Sequence, residues 1–264
     1  MNIYEAILEV TKKIPNVDKI IGLWKVEQAI DNNKSFIVPS FVFYSYYEKA
    51  VNENIGTEEK LLGISYRNLD FIHSLFIWSM NPRTVIVSET VMDFIYESSL
   101  LDYISPELFF SFPSQAILIN QKFGNYDGIL FCKDSIDDGI RQEYSLNISL
   151  FSNDGRYAKY FSFTLPTGEQ FNPFEDLKSL PEWKNIAFVF YVLLYVLSQF
   201  LHKEDLINQN GIDYLGFKLE QKIEQHRLKK GSWRKAHWHT YTEKSKHGKE
   251  HKLLKWIQPV WVNE

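Results

Sequence analysis

The sequence predicts an α+β protein with a mostly helical N-terminal part, a central antiparallel sheet backed by an apolar core helix, and a small basic C-terminal β-hairpin. Apolar residues recur at helical spacing over roughly the first hundred positions, and β-rich runs separated by Gly, Asn and Asp follow. An uncharged apolar run then occupies residues 186–201. Together these segments predict the α+β class, divided into residues 1–100, 101–207 and 208–264.

The N-terminal part is predicted to be helical because apolar residues line one side of its segments and turn residues end them. Thr57 is placed to cap a long helix, which Asn81-Pro82 stops. Pro15 ends the first helix in the same way. The predicted helices are 2–14, 39–51, 57–80 and a short segment after Ser88.

The central part is predicted to be an antiparallel meander because β-rich runs are separated by Gly, Asn and Asp, and alternate residues from Tyr144 to Leu150 share one apolar face. Asp154-Gly155 is the signature of a tight hairpin turn, and Asp137-Asp138-Gly139 predicts another turn. The predicted strands are 116–120, 126–133, 144–151 and 157–165. An edge strand of such a sheet can pair with an extended peptide, so we expect peptide binding at a sheet edge.

The apolar run predicts a buried helix over residues 182–203. It is shorter than the roughly 20 apolar residues of a spanning helix, and charged residues such as Lys184 and Lys203 bound it. A helix that is apolar all round is typical of a protein core, and we expect it to pack against the sheet rather than enter a membrane. Asn208 to Gly211, which follows, is predicted to be a linker.

The cysteine content and the first residues of the sequence indicate the cellular compartment. Cys132 is the only cysteine, so no intramolecular disulfide can form, which fits a reducing cytoplasm. The start Met-Asn-Ile-Tyr-Glu has no basic segment followed by an apolar stretch, so no secretory signal is predicted. We therefore expect a cytoplasmic protein.

The C-terminal segment differs from the rest of the chain in charge and in aromatic content. Residues 221–264 hold 11 Lys+Arg against 4 Asp+Glu, whereas the whole chain holds 29 against 33. Five of the 7 His and four of the 7 Trp also lie there. Cations displace counterions from phosphates and rings stack on bases, so this composition is typical of a nucleic-acid surface.

The same segment predicts a β-hairpin with strands at 236–242 and 253–262, in which Pro259 suggests an edge strand. Alternation places His237, His239 and Tyr241 on one face and Trp238 on the other. Two interpretations stay open: the tryptophans are the core of a docked hairpin, or the surface binds RNA or single strands. The candidate nucleic-acid-binding residues are Arg227, Lys229, Lys230, Trp233, Arg234, Lys235, His237, Trp238, His239, Tyr241, Lys255 and Trp256.

The histidines allow two further hypotheses. His237 and His239 point the same way and can approach one metal ion, but no zinc-module spacing and no second cysteine accompany them, so neither a metal nor another cofactor is predicted. Either imidazole can instead act as general base or acid on a ribose hydroxyl, with Arg234 stabilising the phosphorane. That hypothesis is a metal-independent ribonuclease with His237 and His239 as candidate catalytic residues.

The amino-acid sequence of this segment resembles the C-terminal signature of the type V-A anti-CRISPR family, which is carried on phages and plasmids. The resemblance covers roughly residues 80–264. Where the family usually has Arg after His-Trp, this chain has His239, which keeps a potential hydrogen-bond donor but weakens the fixed positive charge. The stretches that carry it are Lys230–His239, Leu254–Val262, Pro106–Leu108, Phe112-Pro113, Ala116–Ile119 and Tyr126–Ile129.

The resemblance implies a regulator from a mobile element that recognises the nascent N-terminal peptide of a Cas effector nuclease and causes loss of the message being translated. Its implied partners are a nascent or extended peptide and RNA or the ribosome, with no membrane. The alternatives from the residues alone remain a ribonuclease and a plain nucleic-acid-binding accessory protein.

Overall fold

The computed structural model describes residues 69–97, 109, 114–123, 126–137, 142–151, 157–165, 183–226, 231–244 and 250–263. The predicted helices at 2–14 and 39–51, and the first part of the one at 57–80, lie outside these residues. The described chain forms two compact units, one from Leu69 to Thr84 with 114–165, the other from Val85 to 109 with 183–263. The three-part division drawn from the sequence stays a prediction.

Four helices and eleven strands are formed by the described residues. In chain order they are α1 (Leu69–Met80), β1 (Thr84–Val87), α2 (Glu89–Tyr96), β2 (Ala116–Ile119), β3 (Gly128–Asp137), β4 (Gln142–Phe151), β5 (Tyr157–Leu165), α3 (Trp183–His202), β6 (Leu206–Gln209), β7 (Ile212–Leu215), α4 (Phe217–His226), β8 (Gly231–Arg234), β9 (His237–Lys244), β10 (Glu250–Ile257) and β11 (Val260–Asn263). The α+β class, the antiparallel sheet, the apolar helix and the C-terminal hairpin are confirmed.

The first unit is the predicted meander, in the order β5-β4-β3-β2. All three pairings are antiparallel, and Phe131 pairs with Ile148, which pairs in turn with Phe161. Helix α1 packs across β2, β3 and β4. Strand β3 continues to Asp137, so that residue belongs to the ladder and not to the predicted turn.

The apolar helix α3 is a core element of the second unit. Residues 189–199 are all buried, and 72% of the apolar window Lys184–His202 is enclosed by the protein although its length and hydropathy would suit a membrane span. Helix α2 packs on one part of it and β10 on another. Neighbours on several sides explain why the sequence has no polar stripe there.

The predicted linker is a tight hairpin turn. Asn210 and Gly211 have φ values of 53° and 79°, and they join β6 to β7 with Gln209 paired to Ile212. Positive φ at both central residues is the requirement of the two-residue hairpin turn that Asn-Gly favours. A run of polar residues by itself suggests a linker, whereas the Asn-Gly pair within it is the signal of a hairpin turn.

Helix α4 is held at its start by a residue outside it. The backbone N–H groups of Lys218 and Leu219 donate to the Asp205 carboxylate at 3.1 and 3.4 Å, which satisfies two donors left free at a helix N-terminus. Burial raises the pKa of Asp205, and these two donors offset part of that effect because they favour the charged form. The Asp205 carboxylate therefore fixes the start of α4, the helix that leads into the C-terminal segment.

Candidate functional site

The C-terminal segment forms one long antiparallel ribbon with an interruption. Val260 pairs with Arg234 in β11–β8, and Ile257 pairs with His237 in β10–β9, so the register continues without a shift. The ladder breaks where Lys235-Ala236 faces Gln258-Pro259, since proline has no N–H to donate. The predicted second strand at 253–262 is therefore two strands, with Pro259 at the break between them. Each is an edge strand, as Pro259 suggested, because its sheet has two strands among the described residues.

One face of the ribbon is anchored on α3 by two indoles. Trp238 and Trp256 are 8% and 1% exposed, and their ring centroids are 5.0 Å apart. Tyr195 meets the ring of Trp256 edge-on at 6.0 Å, and Tyr191 lies 6.3 Å from Trp238. Each buried indole removes roughly 150–250 Å² from water, which is worth about 4–6 kcal/mol as an upper estimate.

The backbone supplies a further link to the helix. The N–H of Trp256 donates to the Ser198 hydroxyl at 3.4 Å. Tyr191, Tyr195 and Ser198 follow the spacing of one helix face, which explains why they meet the same strand pair. Helix α3 therefore holds the ribbon at the β9–β10 pair. The other face of that pair points away from α3.

Burial removes two of the candidate base-stacking rings. Trp238 and Trp256 present no ring face to solvent, so they act as anchors, and the interpretation of the tryptophans as hairpin core holds for this pair. Lys255 is also engaged, because its ammonium group forms an ion pair with Glu204 just after α3. The sequence offered no local signal for this pair, whose members lie 51 positions apart.

The remaining described candidates lie on the solvent side. Arg234, Lys235, His237 and His239 are exposed, and Tyr241 is 42% exposed. The rings of His239 and Tyr241 form an edge-to-face pair with centroids 4.4 Å apart. Within the part of the chain that the structure describes, no carboxylate pairs with Arg234 or Lys235. Their charges are therefore available to an anionic partner.

The last four candidates are Arg227, Lys229, Lys230 and Trp233. Arg227, Lys229 and Lys230 lie outside the described residues, and of Trp233 only the backbone is described, paired with Trp261. Their roles stay predictions.

The histidine hypotheses rest on His237 and His239 alone. Over the described ranges, no three His, Cys, Asp or Glu side chains gather at a position that could hold a metal ion. The two imidazoles lie two residues apart on an open strand face, and His237 Nδ1 is 3.5 Å from the Lys235 carbonyl. The ribonuclease hypothesis stays a prediction on this geometry.

Known proteins similar to this chain were found by family and by fold. Residues 214–264 match the family model described as AcrVA2-like, the anti-CRISPR type V subtype A2 family. The resemblance to the type V-A anti-CRISPR family is confirmed. No curated protein matches the sequence. The crystal structure of AcrVA2 is similar to this chain with a TM-score of 0.71 and 13% identity, over 100% of both chains. At that identity the likeness shows a shared fold.

The range matched by the family model corresponds to defined structural elements. It begins at the end of β7 and contains α4 and the whole ribbon, including both anchoring indoles. Packing on α3 accounts for Trp238 and Trp256, whereas packing gives no reason for exposed cations at Arg234 and Lys235. The AcrVA2-like segment therefore combines a buried anchoring face with exposed cations.

Proposed function

We propose that this chain is an anti-CRISPR protein of a mobile element that lowers expression of a type V-A Cas effector in the bacterial cytoplasm. The family match of residues 214–264 carries the proposal, because that range coincides with an anchored, cation-bearing ribbon. The shared fold over the full chain supports it.

In this proposal two surfaces cooperate during translation. The body recognises the emerging peptide of the effector, and the outer face of the ribbon contacts RNA at or near the ribosome. The exposed charges of Arg234 and Lys235 support the second contact, because phosphate binding is driven by release of counterions to Lys and Arg. Recognition of the peptide rests on the family resemblance.

Removing the two exposed cations Arg234 and Lys235 is expected to weaken suppression. In Arg234→Gln/Lys235→Gln, the loss of two phosphate contacts lowers RNA affinity about tenfold at ~0.15 M salt. Co-expression with type V-A effector genes, with effector messenger followed over time, should show a marked fall with the natural protein and a much smaller fall with the double variant.

The matched control is Lys122→Gln/Lys184→Gln, which removes the same charge from two exposed lysines outside the ribbon. It should suppress the messenger as the natural protein does. An unchanged messenger level with every candidate effector, from a folded and expressed protein, contradicts the proposed function. Cleavage of naked RNA that disappears in His237→Ala would favour a ribonuclease instead, and RNA binding without messenger loss would favour an accessory protein.

A further inference from the structure

The exposed part of the ribbon around β9 has two chemically different ends. Lys235, just before β9, shares the face of His239 and Tyr241, and Arg234 is exposed next to it at the end of β8; neither has a carboxylate partner among the described residues. The ring pair of His239 and Tyr241 lies further along β9. We propose that this face binds unpaired RNA, with phosphates at the cationic end and bases stacked on the ring pair. The choice of RNA rests on the proposed function, and the unpaired state is argued from the surface itself.

The orientation of the face is fixed by the buried side of the same strand. Alternate residues of a strand point to opposite faces, so anchoring Trp238 on α3 turns His237 and His239 outward. The interruption at Pro259 does not alter this alternation, because the register is the same on both sides of it. The ligand surface is thus preformed and needs no movement of the indoles.

The ring pair suits bases that are free of a helix. Its edge-to-face geometry, at an interplanar angle of 69°, leaves ring surface of Tyr241 open to solvent. Bases of an A-form duplex are stacked on one another and offer no free face, whereas splayed bases stack on aromatic side chains. A duplex would meet only the cations and would lose the contribution of the rings.

Charge along the face is uneven because of Glu204. Its carboxylate holds the ammonium group of Lys255, and Lys255 is the cross-strand partner of His239. The phosphate path therefore runs from Lys235 and the adjacent Arg234, which pair with no carboxylate of the described chain, to a neutralised cation beside the rings. Lys235 and His239 are four residues apart, roughly 13 Å along the strand, so the two ends can be occupied by one short single strand.

Glu204 acts in this arrangement as an attenuating residue. Glu204→Gln removes the carboxylate and frees the Lys255 ammonium for phosphate. Affinity for unpaired RNA is then expected to rise several-fold, and the slope of log K against log salt concentration to steepen by about 0.7. The double variant Glu204→Gln/Lys255→Gln should return both quantities to those of the natural protein.

The decisive measurement uses a short unpaired oligoribonucleotide and a duplex RNA of the same length, titrated by fluorescence anisotropy at several salt concentrations. Tyr241→Ala is expected to weaken binding of the unpaired RNA on the order of tenfold with an unchanged salt slope, while duplex binding stays as it was. Tyr241→Phe, which keeps the ring, should bind as the natural protein does.

Tyr96→Ala is the matched control, because Tyr96 is 67% exposed and belongs to α2, outside the ribbon. It should leave both affinities unchanged. Equal affinity for duplex and unpaired RNA, or full binding by Tyr241→Ala, overturns the stacking proposal. Preference for a DNA single strand over RNA also overturns it. None of these outcomes concerns messenger suppression in cells, so failure here is separable from failure of the proposed function.

Discussion

Replacing Trp256 by Ala is expected to lower the free energy of unfolding by about 3–5 kcal/mol. The indole is 1% exposed and lies between Trp238 and Tyr195, so its removal leaves a cavity and takes the ribbon's main contact from α3. Chemical denaturation followed by tryptophan fluorescence and by far-UV circular dichroism measures the loss.

Tyr241→Ala provides the control, because Tyr241 is an exposed ring on the same ribbon. Its effect on the free energy of unfolding should stay within about 0.5 kcal/mol. Similar losses for both variants would contradict the view that one face of the ribbon anchors it and the other is free.

Gly216→Ala is expected to cost about 2–4 kcal/mol of the free energy of unfolding. Gly216 has a φ of 84°, which disfavours any residue with a Cβ. A Cβ built there would also lie 2.5 Å from Val91 Cγ2 and 2.7 Å from the Ser88 hydroxyl oxygen, and Ser88 caps α2. The added methyl group therefore has to displace a buried side chain and disturb that cap. The same denaturation experiment measures the loss.

Gly211→Ala separates the two causes. Gly211 has a similar φ of 79°, but no atom lies within 4 Å of a Cβ built there. Only the left-handed backbone then contributes, at about 1–2 kcal/mol. If Gly216→Ala costs no more than Gly211→Ala, the close packing of α2 against this glycine is not what makes it necessary.

Most elements of the described chain follow from local patterns in the sequence. β-rich runs bounded by turn residues predicted β2 to β5, and the uncharged apolar run predicted α3, because each of these elements is encoded by neighbouring residues. Errors arose where one residue decides the backbone. Asn210-Gly211 forms a hairpin and not a linker, and Pro259 divides the last strand into β10 and β11.

The site residues proposed from the sequence include side chains that the structure does not leave exposed. Charge and aromatic content directed attention to residues 221–264, and alternation separated His237 and His239 from Trp238. Composition does not tell which face of a ribbon meets a helix. The structure assigns Trp238 and Trp256 to the buried face, and pairs Lys255 with Glu204.

The sequence by itself determined the α+β class, the basic aromatic character of the C-terminal segment and the family resemblance, since each is carried by neighbouring residues. Only the tertiary structure decided which of those side chains remain available to a partner. The physical reason is that burial and ion pairing depend on groups distant in the chain, such as Tyr195 for Trp256 and Glu204 for Lys255.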